Sequence, residues 1–186
     1  MLVAVFGCKE KNKQTPAVAT QQVNTDTLPF YPYISAIKNE ADSLEKNKTK
    51  LMQTFTNETG KEIISIINNN DFKSIVNKIT EQNITQPPLK SFYNEQVFTD
   101  LTTKSTILNY TTQKDSLPVK NISVMLDAKN TNVIKRIDIK TIFTSADSTI
   151  TENYAWVFGK EFYIIRYAED PTGKGVSTKI NISWKK

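Results

Sequence analysis

From Phe92 to the C-terminus no stretch of the sequence carries a helical period. Short segments rich in Ile, Val, Thr and aromatic residues alternate there with turn signals, which restricts that half of the chain to antiparallel strands. "KNISVMLDA" sets Ile122, Val124 and Leu126 against Ser123 and Asp127, the pattern of a half-buried strand. Ala128 to Asn132 reads as a turn. "VIKRIDIKTIF" then alternates Arg136, Asp138 and Lys140 with Ile137, Ile139 and Thr141, while Ile134 falls out of step. "SADS" turns the chain again. "TITENYAWVF", "EFYIIRYA" and "VSTKINISW" follow as strands joined by "GK" and "EDPTGKG".

Ahead of this sheet the period changes. Ile34, Ile37, Ala41 and Leu44 fall on one face of a helix that Pro32 can open. "KLMQTFTNETGKEIISII" predicts two strands, 50–56 and 61–67, around an "NETG" turn in which Gly60 supplies a positive φ. A second helix places Phe72, Ile75, Val76 and Ile79 on one face, with Asp71 as its expected N-cap, and Pro87-Pro88 ends it. The fold class expected is α+β: an antiparallel sheet, able to curve, of about seven to nine strands, with two helices packed on one face. Hydrophobic residues make up 38% and aromatic residues 10% of the 186, enough for a single core.

Composition narrows the chemistry. Histidine is absent, which removes the commonest general base and metal ligand near neutral pH. One cysteine excludes an internal disulfide or a thiolate metal cluster, and no metal or cofactor site is expected. Lys plus Arg number 24 against 19 Asp plus Glu, but the lysines are scattered beside carboxylates and only Arg136 and Arg166 are arginine, so a solvated surface is expected rather than a nucleic-acid footprint. No segment approaches the roughly 20 apolar residues needed to span a bilayer. "DPTGKG" lacks the spacing of a phosphate-binding loop, and "DAKNTN" carries Lys129 where a calcium loop needs its second ligand; both read as turns. Glu152, Glu161, Glu169 and Asp170 are carboxylates with no spacing that pairs them, so a carboxylate-dependent hydrolase ranks third among the functional readings and no catalytic residue is expected.

The N-terminus carries a location signal. "LVAVFGC" resembles the end of a bacterial lipoprotein signal peptide, with Gly7 before Cys8 and Val5 three residues ahead, though it lacks a charged n-region before the apolar run. The resemblance implies cleavage before Cys8 and lipid attachment to it. The following "KEKNKQTPAVATQQVNTDTLP" has no period and is too polar to order itself. As a flexible coil it averages on the order of 25 Å end to end, a tether holding a domain clear of headgroups. The organisation expected is therefore a signal remnant over 1–7, a lipid-anchored tether over 8–29 and one α+β domain over 30–186.

The layout as a whole is similar to uncharacterised outer-membrane-type lipoproteins of Bacteroidetes. The motifs that carry the likeness are the lipobox cysteine and tether, "DFKSIVNKITEQ", "NITQPPLKSFY" (Asn83 to Tyr93) and "WVFGKEFYIIR" (Trp156 to Arg166). The central element departs from the pattern at Gln82, where Asp is frequent. The resemblance implies a membrane-anchored protein on the outer-membrane or periplasmic side of the envelope, and no established activity. Asp-Ser/Thr-aliphatic triplets, which resemble the O-glycosylation pattern of exported Bacteroidetes proteins, occur at Thr27, Ser43 and Ser116.

The last hairpin is dense in aromatics. Tyr154, Trp156 and Phe158 share one strand face and so do Phe162 and Ile164, whereas Tyr163, Ile165 and Tyr167 face the other way. Core packing under the helices is one outcome. The other is an apolar surface of Tyr154, Trp156, Phe158, Phe162, Tyr163 and Tyr167 that takes a lipophilic ligand or an envelope protein. The function expected is a non-catalytic binding or interaction module; the alternative is a carrier of lipid or another hydrophobic ligand.

Overall fold

The computed structural model describes residues 30–184. The first helix, α1 (Tyr33–Lys46), is followed by the hairpin β1 (Leu51–Thr56) and β2 (Glu62–Ile66), then by α2 (Asn69–Thr80). A short 3-10 turn (Leu89–Phe92) leads into seven consecutive strands: β3 (Asn94–Asp100), β4 (Ser105–Thr111), β5 (Val119–Asp127), β6 (Ile134–Thr144), β7 (Thr149–Val157), β8 (Glu161–Glu169) and β9 (Gly175–Trp184). All nine strands form one open antiparallel sheet in the order β2-β1-β9-β8-β7-β6-β5-β4-β3. The class is α+β, as expected. What the local pattern did not place is the early hairpin: β1 adds to the last strand, with Leu51 opposite Trp184 and Phe55 opposite Ile180.

Local chemistry explains the elements. The α1 face of Tyr33, Ile37, Ala41 and Leu44 is buried, and Lys46 lies in the last turn, where a cation complements the helix dipole. In the first hairpin, Asn57 Oδ1 accepts from the backbone of Thr59 and Lys61 at 3.1 and 2.8 Å, and Gly60 takes φ +81°. The α2 cap is a correction. Asn68 caps the helix, with its Oδ1 accepting from Asp71 N–H at 2.9 Å, while its Nδ2 donates to the Asp71 carboxylate at 2.7 Å. Asp71 is the third helical residue of a reciprocal capping pair rather than the cap. The misfit of Ile134 also has a cause: the β5–β6 register shifts between Met125 and Leu126, so Leu126 faces Ile134 while Met125 faces Arg136. The bulge rotates Ile134 back toward the core it packs against.

Both helices cover the same side of the sheet. Along β7 that side carries Glu152, Tyr154 and Trp156, in register with Arg166, Ile164 and Phe162 of β8 and with Thr141, Ile139 and Ile137 of β6. Phe72 of α2 lies over Trp156, and Trp156 also meets Phe162 and Trp184, each at 5.5 Å between ring centroids. The opposite side carries Arg136, Asp138 and Lys140 on β6, Tyr163 on β8 and Lys179 and Asn181 on β9, and no helix of the described residues packs on it.

Candidate functional site

Three places on the molecule hold chemistry that its neighbours do not absorb at first sight: a buried carboxylate, the clefts beside α1, and the free edge of β2.

Glu152 is 4% exposed. Its position on β7 points it under α2, where Lys78 donates to Oε1 at 2.7 Å and the Tyr154 hydroxyl donates to Oε2. Burial, then the adjoining carboxylate, pushes the Tyr154 hydroxyl well above the ordinary phenol range. Both carboxylate oxygens are thus occupied: Lys78 ties α2 to β7 through one, and Tyr154 on the same strand holds the other. Glu40 does the corresponding work for α1: Oε2 accepts from Trp156 Nε1 and Oε1 from Gly159 N–H, both at 2.7 Å. Gly159 has φ +75°, which lets its N–H turn toward the helix. Neither spacing nor composition signalled these two anchors; an acidic residue within a predicted buried stripe, as at Glu152, is the one clue the sequence holds.

Three clefts stand out among the described residues, two of them against α1. The first, of about 200 Å³, lies between α1 and α2 over an apolar floor of Ala41, Leu44, Leu51, Phe72 and Val76. Glu45 and Lys73 close across it at 2.7 Å. Ligand pockets for drug-sized molecules run from about 300 Å³ upward, so this cleft is small for an acyl chain. A wider groove of about 590 Å³ runs along the outer flank of α1, with Leu44, Ile134 and Phe158 among Asn39, Glu40, Ser43, Asn47 and Asn132. The third, of about 340 Å³, is framed by Phe30, Pro87, Pro88 and Tyr93. Among the described residues no group of three or more His, Cys, Asp or Glu is placed to hold a metal ion, and no helix is long and apolar enough to cross a membrane.

The hairpin aromatics do not form one surface. Tyr154, Trp156 and Phe162 are core, at 2%, 1% and 0% exposure, because Phe72, Val76 and Ile79 of α2 and Ile37 and Leu44 of α1 fill the space above them. Phe158 is half-buried in the groove beside α1. Tyr163 and Tyr167 lie on the opposite face, where Arg136 donates to the Tyr163 hydroxyl at 2.6 Å and clamps Asp138 with Nε and Nη2. This cluster covers Ala155, the one fully buried residue of β7 on that side. Of the modification positions, Ser43 is exposed on α1 and Ser116 is exposed in the β4–β5 turn. Cys8 and Thr27, with the signal remnant and tether, lie outside the described residues.

The feature sequence reasoning missed is the exposed free edge of β2, a strand it did expect. All five of its residues are exposed, and Ile63, Ile64 and Ile66 stand at 54%, 65% and 64%. It pairs with β1 on one side and with no strand of the described residues on the other. Edge strands are normally blunted by charge, proline or cover because a free, apolar edge invites another strand. The signal was "EIISII" itself, four isoleucines in six residues, more apolar than a strand with a single partner usually is.

The chain matches no family model, no curated protein and no solved structure.

Proposed function

We propose that this protein is a non-catalytic interaction module of the bacterial cell envelope, held at a membrane by lipid on Cys8 and presenting the free edge of its sheet to a protein partner. The observation that carries the reading is the three exposed isoleucines on an edge strand whose outer side has no strand partner among the described residues. An open backbone edge supplies hydrogen bonds and the flanking side chains supply apolar contact, the combination used in strand addition. The lipobox-like Val5-Gly7-Cys8 junction and the polar tether support the location, on the outer-membrane or periplasmic side. The saturated Glu152 and the filled space above Trp156 favour this reading over a hydrolase or a lipid carrier.

The test is photo-crosslinking in cells expressing the full gene, with the reactive residue at position 64 and, as control, at Lys179 on the open face. Adducts at 64 and not at 179 are expected, in the membrane fraction. Absence of any adduct at 64 overturns the interaction reading. Equal fractionation of wild type and Cys8→Ala as soluble protein overturns the anchor.

A further inference from the structure

We infer that the partner of β2 is β2 of a second copy of this chain, paired antiparallel about a two-fold axis through Ile64. The inference rests on the reading of β2 as the interaction edge and specifies what occupies it.

The backbone register makes the edge self-complementary. Asn57 N–H donates to Lys61 O at 3.0 Å and Ile67 N–H to Leu51 O at 3.2 Å. Hydrogen-bonded pairs alternate along an antiparallel ladder. Ile63, opposite Phe55, and Ser65, opposite Gln53, therefore point their backbone groups at β1. Glu62, Ile64 and Ile66 point theirs outward. A two-fold axis at Ile64 sets Ile64 against its own mate and Glu62 against the mate's Ile66. Every outward N–H and C=O of the strand then finds a complement, and the registers that gain bonds are the ones whose groups are free.

The side chains agree with that register. Residues directly opposite share a face, so Ile64 and Ile66 from both copies gather in one cluster on the open side. The two Glu62 carboxylates fall at opposite ends of the paired strands. The far edge of the sheet offers no equivalent: β3 carries Glu95 and Asp100. Pairing β2 with that edge of another copy would in any case propagate an open filament instead of closing a dimer.

The position of Phe30 is an independent observation. Phe30, the first described residue, packs on Tyr110 with ring centroids 4.5 Å apart, on the helix-covered side. An axis through paired antiparallel strands runs normal to the sheet. Both helix layers, and both points where residues 1–29 join the domain, then lie on the same side of one continuous sheet. That arrangement brings both tethers to one membrane over the shortest path. A five-residue pairing lies near or below the roughly 1,200 Å² at which stable interfaces begin, so the dimer is concentration-dependent and is favoured where anchoring raises the effective concentration.

Disulfide trapping tests this on the full chain carrying Cys8→Ala, which leaves no other thiol. Paired residues at a hydrogen-bonded position have Cα atoms about 5.5 Å apart, within disulfide reach. Under mild oxidation Ile64→Cys is expected to give a covalent dimer on its own. Glu62→Cys and Ile66→Cys are expected to link to each other when mixed, and at least tenfold more slowly when alone. Ile64→Lys, with its fold checked by circular dichroism, is expected to weaken self-association at least tenfold in sedimentation equilibrium. The inference is overturned if Ile64→Cys stays monomeric, if Ile66→Cys alone links as fast as Ile64→Cys, or if Ile64→Lys leaves the sedimentation unchanged. If in-cell photo-crosslinking at position 64 captures a different envelope protein and no second copy, the dimer fails while the interaction reading stands.

Discussion

Trp156 and Tyr163 sit on adjacent strands of one hairpin and meet opposite surroundings. Trp156 is enclosed by Phe72, Phe162 and Trp184, and its indole N–H is taken by Glu40. Tyr163 lies between Arg136 and Lys179, whose cationic groups are 5.5 and 5.3 Å from its ring centre. The difference comes from the cross-strand neighbours. Beside Trp156 stand Ile137 and Phe162; beside Tyr163 stand Ala155 and Asn181, with Asp138 one strand further on. An aromatic residue on a strand becomes core or surface according to the row it belongs to, and the apolar row is the one the helices cover.

The largest effect that would break this comparison is alkaline unfolding of the covered side. Burial raises the hydroxyls of Tyr33, Tyr110 and Tyr154, and pushes Tyr93 up to about 12. A group whose folded-state pKa exceeds its unfolded value near 10 stabilises the fold below that pH, and the contribution disappears as pH rises through the folded value. Loss of the circular dichroism signal is therefore expected above about pH 10, concurrent with a rise in phenolate absorbance from the covered tyrosines. Phenolate formation at these residues in a fully folded protein would contradict their enclosure.

Next in size is Trp156→Ala, expected to cost about 3–5 kcal/mol in urea unfolding through the lost transfer energy and the cavity left behind. Glu152→Ala should cost about 1–3 kcal/mol, since it strands the buried Tyr154 hydroxyl. Lys78→Met should cost less, because Lys78 is 46% exposed and its attraction to Glu152 is partly screened. Asn68→Ala should lose about 1 kcal/mol by uncapping α2, an effect that Asp71→Ala reproduces only in part. Tyr163→Ala on the open face should stay below about 1 kcal/mol. Equal costs for Trp156→Ala and Tyr163→Ala would erase the distinction between the two faces.

Much of the fold was legible because its signals are local. The period-2 runs from Val119 to Trp184 and the two helical stripes each report which side of an element is apolar, and the elements formed where those stripes stand. Strands β3 and β4 were harder to delimit, since "NEQVFTDLTTKSTILNYTT" is rich in Thr and polar residues and its alternation is weak. The turn between them is made by Asp100, which accepts from the N–H groups of Thr102 and Thr103. The candidate site was less legible. The last hairpin is dense in aromatic residues, yet its inward half is core.

The sequence by itself determined the class of fold, the identity of nearly every element and the apolar side of each, because propensity, period and turn chemistry act between residues a few positions apart. Only the tertiary structure decided which strands became neighbours. Placing β1 beside β9 joins residues from opposite ends of the domain, Leu51 with Trp184, and nothing local encodes that choice. It follows from where two half-satisfied surfaces meet, and it is what leaves β2, with Ile63, Ile64 and Ile66, at the rim of the sheet.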